Sequence, residues 1–102
     1  MQIVVGRSIS GEFVVGKLIE KNDKPYLVDV YQLAMHPDEQ NPQHLRSIIM
    51  PMLAPFTDIA VKEIPVEGYI VAMTVAPDDI ERVYVKLTSG LDIVSSGTRI
   101  VQ

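Results

Sequence analysis

Cysteine is absent from this chain of 102 residues. Its absence excludes disulfides, thiolate metal sites and a cysteine nucleophile. It also suits a reducing compartment, so a cytoplasmic location is expected. No apolar run approaches the roughly 20 residues that a membrane-spanning helix needs. The start, Met1-Gln2-Ile3-Val4-Val5, has no basic region and no cleavage site, and no signal peptide is expected. There is no basic run, no internal repeat and no break in composition between the halves. Nine Lys and Arg against thirteen Asp and Glu leave a net charge of −4. Affinity for duplex nucleic acid comes largely from neutralising phosphates, so a general duplex binder is disfavoured. Recognition of a few single-stranded bases, where stacking and hydrogen bonds carry more of the energy, remains open.

What is present is a globular composition, 47% apolar, at a length that normally makes one domain with one core. The chain is organised around Gly11–Ala34. Two β-rich runs, Phe13–Ile19 and Tyr26–Leu33, flank a polar turn at Glu20–Pro25. A first strand is expected over Gln2–Ile9, joined by a tight hairpin at Ser10-Gly11 to a second over Glu12–Lys21. Neither face of that second strand is cleanly polar. A bent strand buried partly on both sides is therefore expected, with the bend at Gly16. Asn22-Asp23-Lys24-Pro25 is the clearest turn signal. Because proline cannot donate to a ladder, the third strand is expected after it, over Tyr26–Met35. His36–Leu45 reads as an exposed loop. Ser47–Leu53 reads as a fourth strand, which Pro51 confines to an edge or a bulge. Pro55 and Pro65 bracket an ambiguous stretch with a short strand at Ile59–Ile64. Tyr69–Val75 is the strongest short strand signal.

After Pro77 the period changes. Asp78 and Glu81 have capping-box spacing, and Asp78 and Arg82 are an i, i+4 pair. Ile80, Val83, Tyr84 and Leu87 follow the pattern of an amphipathic helix, and Gly90 is a candidate C-cap. Val83-Tyr84-Val85 favours a strand, but the helix reading is preferred. The expected fold is mainly β. It is a small, strongly bent, five-stranded antiparallel barrel over residues 1–76, followed by a helix over 77–90 that packs on the barrel or on a neighbour. Residues 91–102 are a last strand or a tail.

The spacing of Gly11, Gly16 and Leu18 in GEFVVGKL resembles the first motif of the Sm-like (Hfq-type) RNA-binding superfamily. There a strand leaves a turn at one glycine and bends at a second, with a hydrophobic residue two positions on. Some phage proteins also resemble this bacterial branch. Counting on, Asn22 stands where the family usually has Asp, and Tyr26 where it usually has Asn. Val66–Met73, VEGYIVAM, is similar to the second Sm motif, with Gly68, Val71 and Met73 matching and Glu67 in place of the usual Arg. The likeness covers roughly residues 1–75. No residues are available for the helix that usually precedes the first strand, and the stretch between the motifs is long.

The resemblance implies a five-stranded barrel assembled into a homo-oligomeric ring, a hexamer or heptamer, in which the fourth strand of one subunit pairs with the fifth of its neighbour. Candidate interface residues are then Ile48, Ile49, Met50 and Met52 on one edge, and Tyr69, Ile70, Val71 and Met73 on the other. An open apolar edge is an aggregation hazard unless covered, and a head-to-tail contact that closes covers every edge in turn. The resemblance also implies single-stranded RNA at the pore. Carried over position by position, the candidate contacts are Asn22, Tyr26, Glu67 and Gly68, with Lys24 and Lys62 the nearest cations. Each has a plainer reading. Tyr26 packs at a strand start with its hydroxyl in water, Asn22 makes the turn, and the lysines are solvated. A carboxylate at Glu67 accepts where an Arg would donate, and repeated around a ring it repels phosphate.

His36 and His44 flank Asp38 and Glu39, but their separation matches no common ligand spacing, and no metal or other cofactor is expected. Asp78-Asp79 is assigned to capping rather than to a catalytic carboxylate pair. Met50, Met52 and Met73 read as core or interface fillers. No nucleotide-binding loop or catalytic triad stands out, and no enzyme activity is expected. Two functions remain in view: a ring that binds single-stranded RNA, and an interaction module that keeps the ring without RNA.

Overall fold

A computed structural model describes residues 2–41, 43–54 and 56–89. Six strands, β1 (Gln2–Ser8), β2 (Phe13–Lys21), β3 (Lys24–Pro37), β4 (Leu45–Pro51), β5 (Val61–Pro65) and β6 (Ile70–Val75), precede one helix, α1 (Asp78–Ser89). All strand pairings are antiparallel, in the order β4-β3-β2-β1-β6, with β5 also paired to β3. The last described strand thus returns beside the first. Among the described residues β6 pairs only with β1, and β4 and β5 only with β3, so the bent sheet is open rather than closed into a barrel. There are six strands rather than five because the long strand β3 carries two partners on one side. β4 lies along Tyr31–Pro37 and β5 along Tyr26–Val30.

The bend has a specific origin. Val15 pairs with Tyr31 but Lys17 pairs with Val28, so β3 has one residue more than β2 between these points. Such a bulge kinks the strand and strengthens its twist. Asp29 absorbs it with a left-handed φ of 52°. Gly16 faces the kink. A Cβ there would sit 3.1 Å from the Val28 carbonyl oxygen and 3.3 Å from Val30 Cγ2, closer than packed atoms normally come. Just before the bend, Val14 and Val15 lie in different cores and are both fully buried, as expected of a strand covered on both faces.

The sheet accordingly has two cores. Val15, Tyr31, Leu33 and Ile49 pack with Ala76, Ile80 and Tyr84 beneath the helix. Val4, Val14, Leu27 and Val30 pack on the opposite, concave face, closed by Leu18, Met52, Ile64 and Ile70. α1 therefore covers a face of its own sheet, through Ile80 and Tyr84 with Leu87 against them. Val83, expected on the apolar stripe, is exposed. Glu81 N donates to Pro77 O at 2.9 Å, and Asp79 rather than Asp78 supplies the carboxylate that takes a first-turn amide, that of Ile80, at 2.9 Å. Asp78 and Arg82 form no ion pair among the described residues. The expected C-cap at Gly90 and the last strand or tail over 91–102 lie outside the described residues. No described helix is long and apolar enough to cross a membrane.

Two further expectations are corrected. Pro25 lies inside β3, paired with Glu20, rather than ahead of it. A proline without a donor still offers its carbonyl, and Pro25 O accepts from Val66 N at 3.1 Å. His36, Pro37 and Leu45 are strand residues, which leaves a loop over only 38–44, pinned by Asp38 N donating to His44 O at 2.9 Å.

Candidate functional site

β2 and β3 meet in a two-residue turn, Asn22-Asp23, between the paired Lys21 and Lys24. Both turn residues have left-handed φ, 55° and 66°, as a type I′ hairpin turn requires. Asn and Asp tolerate that region better than other residues with a side chain, which is why this sequence turns here. The β5–β6 connection folds against the same end of the sheet. Tyr26 pairs with Ile19 on one side and with Pro65 on the other. Val66 O accepts from Tyr69 N and Ile70 N, and Gly68 provides the left-handed residue of this second turn, with φ 81°. The structure therefore brings Asn22, Lys24 and Tyr26 together with Glu67 and Gly68, although more than 40 residues separate the two turns along the chain.

The electrostatics of this rim are those of neutralised pairs. Lys24 Nζ lies 3.6 Å from Glu67, and Lys21 Nζ donates to both oxygens of Glu63 at 2.9 and 3.0 Å. The hydrogen bond to Glu63, with its charge, raises the Lys21 pKa above the ordinary lysine value. The same ammonium stands 5.3 Å from the centroid of the half-buried Tyr26 ring, within cation–π range. Lys17 pairs with Asp29 at 3.6 Å further along the strands. The two lysines of the rim, Lys21 and Lys24, pair with Glu63 and Glu67, and the turn between them carries a third carboxylate, Asp23. The rim offers an aromatic ring and hydrogen-bonding groups, without the excess positive charge that phosphate binding uses.

Lys62 is exposed and makes no ion pair among the described residues. Two participants were missed at the sequence level, Lys21 and Glu63. Once Asn22-Asp23 is taken as the whole turn, hairpin register sets Lys21 against Lys24, so the first had a signal. The second depends on the β3–β5 pairing, which no local pattern announces. His44 Nδ1 meets Asn41 Nδ2 at 3.3 Å, and no group of three His, Asp or Glu side chains suited to a metal forms among the described residues.

The candidate interface residues divide. Ile49 is only 4% exposed, because strand alternation turns it toward the helix beside its partner Leu33. It is a core residue of this chain. Met52 and Ile70 pack into the concave core, and Ile48, Met50 and Tyr69 are half-buried. Val71 and Met73 are exposed, as is every residue from Val71 to Val75. Val71 is the extra residue where β6 slips against β1, since Arg7 pairs with Ala72 and Ser8 with Ile70. Compared with known proteins, the chain matches no family model and no curated sequence.

Proposed function

We propose that this chain is a self-associating, Sm-like β module that works as a homo-oligomeric ring. The observation that carries the reading is β6. Among the described residues it is paired on one side only, is free of charged residues from Ile70 to Val75, and exposes Val71, Met73 and Val75. Edge strands of folded monomers are usually protected by charge, proline or cover, and among the described residues this one has none of the three. At the far end of the sheet β4 and β5 leave a second edge that is free among the described residues. A head-to-tail contact between the two edges uses both, and in this reading the gap that keeps the bent sheet from closing as a barrel is where a neighbour enters. Sedimentation of the 11.3 kDa chain at micromolar concentration tests it. A mass of six or seven chains is expected, and a stable monomer would sink the reading.

A second reading, single-stranded RNA at the ring pore, is supported by the meeting of Asn22, Lys24 and Tyr26 with the Glu67-Gly68 turn. Because Glu63 and Glu67 already neutralise the lysines, any such binding rests on stacking at Tyr26 more than on phosphate contacts. Short U-rich and A-rich RNAs titrated at two salt concentrations test it. Binding that is lost in Tyr26→Ala with the oligomer intact supports RNA. No binding at low salt leaves a protein-interaction ring.

A further inference from the structure

Among the described residues, two apolar parts of the surface stand uncovered beside the sheet's free edges. One lies where β6 begins. Val71 is 64% exposed and Ile9 68%, and Ile9 N donates to Tyr69 O at 2.7 Å, which sets Ile9 beside the strand two residues before Val71. The other is the β4–β5 connection, where Phe56 is 90% exposed. Successive turns present it there: Ala54 N donates to Pro51 O at 3.2 Å and Phe56 N to Leu53 O at 2.8 Å. From Ser47 to Thr57 the chain carries no charged side chain. A phenyl ring left in water at a loop tip is the kind of group that anchors an interface.

We infer that Phe56 of one copy seats on Ile9 and Val71 of the next, while Arg46 of the first copy lies against Asp78 of the second. This deepens the self-association reading and rests on it. The orientation follows from charge. Arg46 stands near the start of β4 and Phe56 follows its end, whereas the apolar pair marks the start of β6 and Asp78 follows its end. Placed antiparallel, like every other pair in this sheet, β4 and β6 bring Phe56 to Ile9 and Val71, and Arg46 to Asp78. Placed parallel, they set the phenyl ring against the carboxylates of Asp78 and Asp79, and the guanidinium on the apolar pair, which strips water from charges without compensation. Arg46 and Asp78 are both exposed and neither has an ion-pair partner among the described residues.

The occupant is a second copy because both free edges, and both members of each complementary pair, lie on the one chain. Copies joined head to tail therefore satisfy one another without remainder.

Sedimentation equilibrium on the full chain, with circular dichroism as a check on folding, tests this contact. Phe56→Ser removes an exposed side chain, so the fold stays intact while the dissociation constant of the assembly rises by about 30-fold or more. Arg46→Glu and Asp78→Lys each weaken assembly, and the double variant recovers it. If the wild-type chain assembles and both Phe56→Ser and Arg46→Glu leave that assembly unchanged, this contact is wrong while self-association stands. If the wild-type chain is a monomer throughout, both fall.

Discussion

The Tyr84 hydroxyl shares its proton between the carbonyl oxygens of Asp29 and Val28, at 2.7 and 3.3 Å. Its ring is fully buried and meets Tyr31 edge to face, with centroids 6.0 Å apart. The residue thereby fastens α1 to the carbonyls that the β3 bulge turns out of the ladder. Tyr84→Phe keeps the packing and leaves a buried carbonyl without its donor, so a loss of about 1–2 kcal/mol is expected in urea unfolding. Burial, with the nearby charge of Asp29, also pushes the phenol well above its ordinary pKa. An unfolded tyrosine releases its proton above about pH 10, while the folded one keeps it. Stability is therefore fully present below that pH and falls as pH rises through and beyond it. The fall should be shallower in Tyr84→Phe, which a urea series from pH 9 to 11 would read. Gly16 makes a second residue-scale test. Gly16→Ala drives a methyl group into the Val28 carbonyl and should cost about 1–3 kcal/mol. The sequence placed Tyr84 on the inner stripe of a helix and Gly16 at a bend. It did not show what either one touches, because those partners come from other strands, the Tyr84 acceptor lying 55 residues away.

Among the elements, the β2–β3 hairpin was the most legible. Alternation on both sides and the turn-forming Asn22-Asp23 are local signals, and local signals survive into the fold. Asp23 keeps a φ of 66° at some steric cost. Asp23→Gly removes the Cβ and should stabilise the hairpin by roughly 0.5 kcal/mol, visible as a rise in thermal midpoint. Pro25 lies within β3 despite its missing N–H, because the strand uses its carbonyl there, which accepts from Val66 N. The helix was found from its period, yet its exposed Val83 shows that three inward residues, Ile80, Tyr84 and Leu87, suffice to seat it. The division of labour along β3 between β4 and β5 was not legible. It depends on the Asp29 bulge, and an aspartate in a strand has no pattern that announces a left-handed residue.

At the scale of the molecule, the candidate rim was assembled from two turns that the motif resemblance had named, and the structure does bring them together. Its charge could not be read in the same way, since Lys21–Glu63 joins partners 42 residues apart. Glu67→Arg tests the second functional reading. It removes the partner of Lys24 and adds a cation at every subunit of a ring. Short single-stranded RNA should then bind more tightly at low salt, with a steeper loss of affinity as salt rises. An unchanged isotherm would remove the rim from consideration as an RNA site.

The pairing of β1 with β6 also has a consequence in time. During synthesis β1 is made early, but β6 follows roughly 60 residues later, which at ribosomal speed is a wait of several seconds. Until then one side of β1 has unpaired backbone groups, and the concave core around Val4 lacks Ile70, one of the residues that close it. The nascent chain is therefore most prone to misassembly just before β6 emerges. A fragment ending at Pro65 should precipitate where the whole chain does not, and β6 added as a separate peptide should keep it in solution.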